Sequence, residues 1–302
     1  MSELIPSTEG FVTFRGHQVW YRIVGAGEAP GKLPLLCLHG GPGATHDYLE
    51  PLEAMAATGR RVIFYDQLGV GNSDHPSDPS LWTVDLFVAE VGAVRAALGL
   101  DTVHLLGQSW GGMLGMEYAL TQPAGLASLT VADSPASVPE WMVEVGRLRA
   151  ELPPVVQATL LAHEAAETTD DPAYQTAMQE FYRRYVCRIE PLPAFVARSF
   201  DKLAQNPEVY YTMNGPSEFH VIGTIKDWDI RARLPEIRVP TLVVGGRYDE
   251  VTPATTEIIH RGIPGSQYVI FEHSSHMPHV EETTHFMHVL DTFLTGVEAA
   301  SV

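Results

Sequence analysis

The sequence is poor in the residues that a secreted or membrane-spanning protein needs. Only two cysteines occur among 302 residues, Cys37 and Cys187, which is too few for a disulfide framework and favours a reducing compartment. No apolar run approaches the roughly 20 residues needed to cross a bilayer. The first residues also lack the basic and apolar regions of a signal peptide, so the sequence predicts a cytoplasmic protein.

Basic residues are scarce as well. Lysine and arginine number 19 against 37 aspartates and glutamates, which gives a formal net charge of −18 at pH 7. Nucleic acids and anionic membranes are bound through basic faces, so this composition argues against both as partners. Solubility explains most of the acidic excess, and part of it would suit a site for a cationic group.

The sequence does contain an alternation of short apolar runs and helical patterns. Continuous apolar runs such as Leu35–Leu38 are typical of strands buried on both faces, whereas the first two strands alternate in polarity, as antiparallel strands do. Helical patterns lie between the strands, for example from Phe87 to a stop at Gly99 and from Phe286 to a stop at Gly296. The pattern predicts an α/β fold, with a mostly parallel eight-stranded sheet and helices on both faces. The predicted strands are Phe11–Phe14, Val19–Val24, Leu35–His39, Arg61–Asp66, Val103–Leu106, Leu126–Ala132, Thr241–Gly245 and Gln267–Phe271.

The alternation lapses between the sixth and the seventh predicted strand. Residues 135–235 carry helical patterns rich in alanine, glutamate, arginine and aromatic residues, with proline breaks at Pro153-Pro154 and Pro191-Leu192-Pro193. We interpret this segment as a helical cap domain. It is inserted into the predicted α/β core, which comprises residues 1–134 and 236–302.

A glycine-rich turn with a central serine follows the fifth predicted strand. Gly107-Gln108-Ser109-Trp110-Gly111-Gly112 links the apolar run Val103–Leu106 to a helical pattern. Glycine inside an element costs backbone entropy, so such a cluster indicates a sharp bend or a close approach of two backbones. A strand, Gly-x-Ser-x-Gly and a helix in this order form the nucleophile elbow, in which the helix N-terminus lies beside a reactive serine. Ser109 is therefore the candidate nucleophile.

A serine nucleophile needs a base, and the base needs an orienting acid. In this architecture the acid follows the serine along the chain, and the histidine follows the acid. Asp249 comes just after the seventh predicted strand and His276 just after the eighth. Both therefore fall at the carboxyl edge of the sheet, where open α/β sheets place their sites.

Three other residues compete for these two roles. Asp133 ends the strand before the predicted cap, where an acid could also lie. His273 follows its strand too closely to reach back easily, and His279 lies just before the final helix. We therefore assign the acid to Asp249 and the base to His276.

A second glycine-rich loop could stabilise the negative charge of a tetrahedral intermediate. His39-Gly40-Gly41-Pro42-Gly43 follows the third predicted strand, and such a loop lets backbone N–H groups face a ligand. An oxyanion needs preorganised donors. The candidate donors are the backbone N–H groups of Gly41 and of Trp110, the residue after the nucleophile.

No metal or cofactor site emerges from the sequence. His163-Glu164-Ala165-Ala166-Glu167 has a glutamate where a zinc-protease helix needs its second histidine. Glu281, His285 and His288 have helical spacing, but a solvated helix face explains them better than a metal does. Gly69-Val70-Gly71 lacks the third glycine and the helix of a dinucleotide site. We therefore expect a reaction that needs neither cofactor nor metal.

Together these motifs resemble the α/β-hydrolases of the proline iminopeptidase family, which includes the tricorn-interacting aminopeptidase factor and related amino-acid amidases. The resemblance covers nearly the whole chain, the predicted cap included. The segments that carry it are His39–Gly43, Asp66–Ser73, Gly107–Gly112, Met213–Phe219 and Gly246–Asp249.

The resemblance implies roles for two further carboxylates. Glu218, in the predicted cap, and Glu250, beside the candidate acid, would hold the free α-amino group of the substrate. This suits the chemistry, because an ammonium donates three hydrogen bonds and charge-assisted bonds to carboxylates are strong.

Two departures from the family pattern bear on specificity. Gln108 stands where many proline-specific members carry glycine, and Leu68 stands where many carry arginine. The preference for an N-terminal proline is therefore open. Aromatic residues of the predicted cap either line an apolar pocket or form the core of the cap itself: Trp141, Phe181, Tyr182, Tyr185, Phe195, Tyr210 and Tyr211.

We predict a serine aminopeptidase that releases an N-terminal amino acid from a short peptide, an amino-acid amide or an N-aminoacylated small molecule. Two other functions fit the fold: an esterase or lactonase that acts on non-amino acyl substrates, and a protein that binds ligands without turnover. The complete set of serine, aspartate and histidine argues against the latter. The preferred first residue, the natural leaving group and the oligomeric state are not predicted.

Overall fold

One eight-stranded sheet organises the computed structural model, which describes residues 5–300. The strands are β1 (Ser7–Phe14), β2 (His17–Val24), β3 (Leu35–Leu38), β4 (Val62–Tyr65), β5 (Val103–Gln108), β6 (Leu126–Ala132), β7 (Thr241–Gly246) and β8 (Gln267–Phe271). Their order across the sheet is β1-β2-β4-β3-β5-β6-β7-β8. The pairs β1–β2 and β2–β4 are antiparallel, and the other five are parallel. The predicted α/β-hydrolase fold, with its mostly parallel sheet, is confirmed.

Strand β1 begins earlier than the sequence predicts. The structure extends it from Phe11 back to Ser7, which pairs with Val24 of β2. The added residues are mostly exposed because β1 is an edge strand, so they show no apolar alternation from which a strand could be predicted.

Ten α-helices lie in the described part of the chain, with three short 3-10 segments. The α-helices are α1 (Val84–Ala97), α2 (Trp110–Leu120), α3 (Val138–Arg149), α4 (Pro154–Ala165), α5 (Pro172–Tyr185), α6 (Ala194–Gln205), α7 (Glu208–Met213), α8 (Pro253–Gly262), α9 (Pro278–Glu281) and α10 (Thr283–Ala300). The 3-10 segments are His46–Thr58, Pro79–Leu81 and Arg231–Glu236. The stop predicted at Gly296 is wrong, because α10 continues through it and Glu298 in its last turn accepts hydrogen bonds from the core.

The sheet is covered on both faces, and its strands alternate between two cores. In β5, Leu105 belongs to the core beneath α1 and α2, whereas Leu106 belongs to the core beneath α10 and the 3-10 segment His46–Thr58. Every residue of β5 is buried, so its sequence, VHLLGQ, shows no regular alternation of apolar and polar residues.

Parallel strands bring their carboxyl ends to one edge of the sheet, and the loops that follow β3, β5, β7 and β8 meet there. Five helices, α3 to α7, lie between β6 and β7 along the chain. Among residues 5–300, no helix is both long enough and apolar enough to span a bilayer.

Candidate active site

The turn between β5 and α2 forces Ser109 into an unusual backbone conformation. Ser109 has φ 58° and ψ −125°, a region that residues with a side chain rarely adopt. The flanking glycines are required by close backbone approach. A Cβ on Gly107 would lie 2.0 Å from the carbonyl oxygen of Gly111, and a Cβ on Gly111 would lie 2.1 Å from that of Leu38. The Gly-x-Ser-x-Gly pattern therefore encodes a bend that only glycines can flank.

His276 and Asp249 form a buried hydrogen-bonded pair. The Nδ1 of His276 lies 2.7 Å from the Oδ1 of Asp249, which also accepts a hydrogen bond from the N–H of Val251 at 2.9 Å. Burial by itself would lower the pKa of His276, but the Asp249 carboxylate outweighs burial and Glu218 adds to it, so the pKa is raised. The pair therefore orients an imidazole whose Nε2 is available to a nucleophile.

Asp133, the alternative acid, lies beside Asp249 rather than on the histidine. Its side chain is fully buried, and its Oδ1 accepts a hydrogen bond from the N–H of Gly246 at 3.1 Å. Burial and the Asp249 carboxylate raise the pKa of Asp133 well above its ordinary value. A neutral Asp133 can donate a hydrogen bond to Asp249, which leaves the negative charge on the residue that contacts His276.

The two alternative bases are placed away from this chemistry. His273 is exposed. His279 is buried, and its Nε2–H donates a hydrogen bond to the backbone oxygen of Tyr48 at 3.1 Å. Burial lowers the pKa of His279 to about 3, so the ring is neutral at pH 7. His279 fixes one segment to another rather than transferring a proton.

Carboxylates of the short helix α9 and its C-terminal end hold the loop that carries His276. Glu281 accepts a hydrogen bond from the N–H of Ser275 at 2.5 Å and another from the N–H of Arg188 at 2.7 Å. Glu282 accepts one from the hydroxyl of Ser274 at 2.7 Å. The sequence interpretation of Glu281 as part of a solvated helix face is therefore wrong, because this carboxylate turns back to support the base loop.

The loop after β3 presents Gly41 beside the serine. Gly41 has φ 112°, and a Cβ there would lie 2.4 Å from the nitrogen of Gly43, so no other residue fits. Within residues 5–300, neither the N–H of Gly41 nor that of Trp110 takes part in a protein hydrogen bond. Both N–H groups are thus free to donate, and their role as donors to an oxyanion stays a prediction.

One narrow cavity joins most of the predicted site residues. Gly41, Ser109, Glu218, Glu250 and His276 all line it, and Asp249 lies behind His276. Its volume is about 40 Å³. Apolar side chains from the helices α5 and α6 and from the base loop complete the wall, namely Tyr182, Val186, Val196, Phe200, Leu203 and Met277.

Glu250 is a buried carboxylate without a hydrogen-bond partner in the described chain. Its side chain is 0% exposed, neither oxygen makes a hydrogen bond, and Oε1 lies 3.8 Å from the Nε2 of His276. Burial, followed by the charges of Glu218 and Asp249, raises its pKa well above the ordinary value. A buried polar group without a partner is costly, so its oxygens are set to receive a donor from outside the chain.

Glu218 reaches the same cavity from the loop after α7. Its Oε1 accepts a hydrogen bond from the hydroxyl of Tyr210 at 2.6 Å, and its N–H donates to the hydroxyl of Tyr182 at 3.3 Å. Burial raises the pKa of Glu218, although the bond from Tyr210 and the nearby His276 partly oppose this. Glu218 and Glu250 therefore place two buried carboxyl groups with raised pKa values in the cavity that also contains Ser109.

Sequence reasoning left the individual roles of the aromatic residues open. Of the aromatic residues named in the predicted cap, Tyr182 lines the cavity and Tyr210 positions Glu218, whereas Trp141 and Phe181 are buried in the core. Tyr48, which also lines the cavity, was missed altogether. Its only sequence signal is an aromatic residue shortly after the glycine-rich loop, which is too weak to predict a contact.

Among residues 5–300, one set of potential metal ligands lies close together, but basic side chains already pair with its carboxylates. Donor atoms of His46, Asp47 and Glu50 lie within 4.8 Å of one another. Asp47, however, accepts hydrogen bonds from Arg198 at 2.5 Å and from Lys202 at 2.8 Å. Burial alone would raise the pKa of Asp47, but the bonds from Lys202, Thr45 and Arg198 hold it below the ordinary value. This cluster is therefore an ion-pair network rather than a metal centre.

Comparison with known proteins finds relatives over nearly the whole chain. The family model of the alpha/beta hydrolase fold matches residues 34–283. A crystal structure of a protein named VinJ is 48% identical, with a TM-score of 0.93 over 97% of this chain and 99% of VinJ. The crystal structure of proline iminopeptidase from Mycobacterium smegmatis is 45% identical, with a TM-score of 0.91 over 98% of this chain and 100% of that one. The proline iminopeptidase of Heyndrickxia coagulans is 40% identical over 290 residues, which are 96% of this chain and 99% of the relative.

Proposed function

We propose that Ser109, His276 and Asp249 carry out the reaction of this chain, which belongs to the α/β-hydrolase fold family and, within it, to the proline iminopeptidases. Membership of this family makes the protein a hydrolase with an aminopeptidase function. One observation carries this proposal. A buried imidazole held at 2.7 Å by a carboxylate shares a narrow cavity with a serine on a strained strand-to-helix turn. This is the arrangement that activates a serine hydroxyl.

The proposed reaction proceeds through an acyl-enzyme. The Oγ of Ser109 attacks the carbonyl carbon of the first residue while His276 takes its proton at Nε2. The N–H groups of Gly41 and Trp110 stabilise the oxyanion of the tetrahedral intermediate. His276 then gives the proton to the leaving amine, and water, activated by the same imidazole, releases the amino acid. Asp249 holds the ring and stabilises the imidazolium.

Glu218 and Glu250 make the reaction specific for a free amino terminus in this proposal. The substrate ammonium supplies the donors that the Glu250 oxygens lack, and Glu218 supplies the second carboxylate. Because an ammonium favours the charged form of both carboxylates, binding of the substrate shifts their protons into solution. A substrate without a positive charge leaves buried acidic groups unpaired, which costs roughly 1–3 kcal/mol for each group.

The helices α3 to α7 would act as a cap. We propose residues 135–235 as this domain and residues 1–134 with 236–302 as the α/β-hydrolase core, because α5 and α6 supply the wall opposite Ser109. Substrates are short peptides, amino-acid amides or N-aminoacylated small molecules. Two buried, unpaired cysteines, Cys37 and Cys187, support a cytoplasmic location.

A release assay with matched arylamides tests the proposed function. Alanyl, prolyl and leucyl arylamides are compared with their N-acetylated forms, which keep the acyl group but lose the charge. We expect kcat/KM for the free amines to exceed that for the acetylated forms more than about 100-fold, which corresponds to about 2.7 kcal/mol. Replacement of Glu218 by glutamine should reduce this ratio about 10–100-fold.

Two results would count against the proposal. Equal turnover of free and acetylated substrates would make the protein an esterase-type hydrolase. Turnover by a Ser109→Ala variant above a few per cent of wild type would exclude Ser109 as the nucleophile.

A further inference from the structure

Gln108, the residue before the nucleophile, connects two loops of the site through its side chain. Its Oε1 accepts a hydrogen bond from the hydroxyl of Tyr48 at 2.6 Å, and its Nε2 donates one to the backbone oxygen of His276 at 2.8 Å. The side chain is 2% exposed. The oxygen and the nitrogen of the Gln108 side-chain amide thus both form hydrogen bonds inside the site, although this amide takes no part in the proposed reaction.

Tyr48 extends this connection to the loop that bears Gly41. The Tyr48 hydroxyl accepts a hydrogen bond from the N–H of Gly40 at 2.7 Å while it donates to Gln108. Burial raises the pKa of Tyr48, so the hydroxyl keeps its proton and remains a donor. A continuous chain of three hydrogen bonds therefore runs from Gly40 through Tyr48 and Gln108 to His276.

We propose that Gln108 and Tyr48 are positioning residues that set the distance between the oxyanion loop, the nucleophile and the base. This inference rests on the proposed function, because it concerns the relative positions of Ser109 as the nucleophile and His276 as the base. The three parts come from distant points of the chain: Gly40 follows β3, Ser109 follows β5 and His276 follows β8. Together the two side chains reach all three parts: Tyr48 binds the N–H of Gly40, and Gln108, next to Ser109, binds the backbone oxygen of His276.

The hydrogen bonds act on geometry to which catalysis is sensitive. A shift of about 1 Å in a reacting group can cost roughly 100-fold in rate. The backbone oxygen of His276 is fixed by Gln108 while its ring is fixed by Asp249, so the residue is held at two points. Loss of the hydrogen bond from Gln108 leaves the His276 ring bound to Asp249 but allows the backbone of His276 to move relative to Ser109.

The structure also explains why loss of this chain should not unfold the protein. His279 ties the base loop to Tyr48 by a separate bond, at 3.1 Å from its Nε2 to the Tyr48 backbone oxygen. Glu281 and Glu282 hold the same loop from below. The loop that carries His276 is thus already anchored, and the hydrogen bonds through Gln108 only refine its position relative to Ser109.

Two variants test the proposal. Gln108→Leu keeps the approximate size but removes both hydrogen bonds, and Tyr48→Phe removes a single hydroxyl. Ser128→Ala is the matched control, because it removes a buried hydrogen bond of 2.7 Å to His104 elsewhere in the sheet. Each variant is assayed for kcat and KM on an aminoacyl arylamide, and for the rate at which a fluorophosphonate labels Ser109.

We expect Gln108→Leu to lower kcat about 10–100-fold with KM within about threefold of wild type, and to slow labelling by a similar factor. Tyr48→Phe should lower kcat about 5–20-fold, and the double variant should be little worse than Gln108→Leu, because both residues act in one chain. The Ser128→Ala control should stay within about twofold.

The labelling reaction separates this proposal from the proposed function, since it needs no substrate amine. If wild type is not labelled at Ser109, the proposed function fails. If wild type is labelled and both variants match it in labelling and kcat, the positioning role is refuted, as it is if the two effects multiply independently. If Gln108→Leu does not fold, Tyr48→Phe alone decides between these outcomes.

Discussion

The backbone of Ser109 shows how a single residue can be strained for the sake of reactivity. Its φ of 58° is held by the glycines on either side and by the bond from Ser134 to its carbonyl oxygen at 2.8 Å. Such a conformation costs of the order of 1–3 kcal/mol for a residue with a side chain. The proposed nucleophile is therefore placed at a position that lowers the stability of the fold.

Replacement of Ser109 by glycine should remove both the strain and the reaction. We expect kcat to fall about 10⁶-fold, as in knockouts of other serine hydrolases, and the free energy of unfolding to rise by about 1 kcal/mol. Ser109→Ala is the control, because it loses the hydroxyl but keeps a Cβ in the same conformation, so only its activity should fall. Chemical denaturation of the three proteins makes the comparison. An unfolding free energy of Ser109→Gly below that of Ser109→Ala would show that the turn is not strained.

The pH dependence should report the raised pKa of His276. Below this pKa the imidazole is protonated and cannot act as a base, so kcat/KM for an aminoacyl arylamide should rise through a pKa above 6.5. It should fall again near pH ~8, where the substrate amine loses its proton. A neutral ester should show the rise without the fall. Glu218→Gln removes one of the charges that raise the pKa, so its ascending limb should move to lower pH.

A pH profile with no ascending limb above pH 6.5 would contradict the electrostatics of the site. The same descending limb for ester and amine would show that it belongs to the enzyme and not to the substrate ammonium.

The sequence predicted the proposed catalytic residues because each follows a strand of a parallel sheet. Ser109, Asp249 and His276 come after β5, β7 and β8. Because these strands end at the same edge of the sheet, the three residues lie near one another for any conformation of the loops. Tyr48 and Gln108 could not be paired in this way, because their contact depends on the path of a loop and on two side-chain conformations. Local patterns define where the chain bends, whereas tertiary packing decides which polar groups then meet.

At the scale of elements, α6 is fixed to the core by charge. Arg198 and Lys202 of α6 both bind Asp47 in the 3-10 segment His46–Thr58, and the hydroxyl of Ser199 accepts a hydrogen bond from the N–H of Thr45 at 3.2 Å. Asp47 is 3% exposed. The same helix supplies several apolar side chains to the wall of the cavity, so its attachment bears on substrate binding.

Replacement of Asp47 by asparagine should therefore weaken binding more than chemistry. Asparagine keeps the shape but has one acceptor oxygen where Asp47 uses two, so it loses one of the bonds from Arg198 and Lys202, and the other no longer ends on a carboxylate. We expect KM for an aminoacyl arylamide to rise about 10-fold while kcat stays within about threefold. Arg147→Gln is the control, since its ion pairs with Glu144 and Glu151 lie on the exposed surface of α3 and should contribute little. An unchanged KM in Asp47→Asn would mean that α6 is held by its apolar contacts alone.

At the scale of the whole molecule, a buried ion pair joins the C-terminal helix α10 to the segment just before β4. Arg60, which is 0% exposed, donates to Glu298 of α10 at 2.7 Å, and the N–H of Leu33 donates to the same carboxylate at 2.9 Å. Burial opposes ionisation of Glu298, but the bonds from Leu33 and Arg60 outweigh burial and lower its pKa. These bonds hold the last turn of α10, which is why the helix passes through Gly296 instead of ending there.

Loss of this carboxylate should destabilise the fold without touching the site. Glu298→Ala leaves the buried charge of Arg60 with the half-exposed Asp291 as its one carboxylate partner among residues 5–300, so we expect the free energy of unfolding to fall by about 3–5 kcal/mol. Because the folded pKa of Glu298 lies below the unfolded value, its contribution is present above about pH 4.3 and is lost as the pH falls through the folded pKa. Denaturation curves at pH 7 and pH 3 measure both effects. A variant as stable as wild type at pH 7 would contradict this role.

The cavity beside Ser109 has consequences for how the enzyme would behave among other proteins. A volume of about 40 Å³ holds about three water molecules, fewer than the atoms of a single proline residue. We therefore expect a substrate to enter only when lining side chains such as Tyr182 and Phe200 move aside, and a chain end attached to a bulky folded domain to be excluded. In this proposal selection by size would precede selection by charge, and the amino termini of folded neighbours would be spared. Where this displacement limits the entry of a small substrate, we expect kcat/KM to fall as solvent viscosity rises.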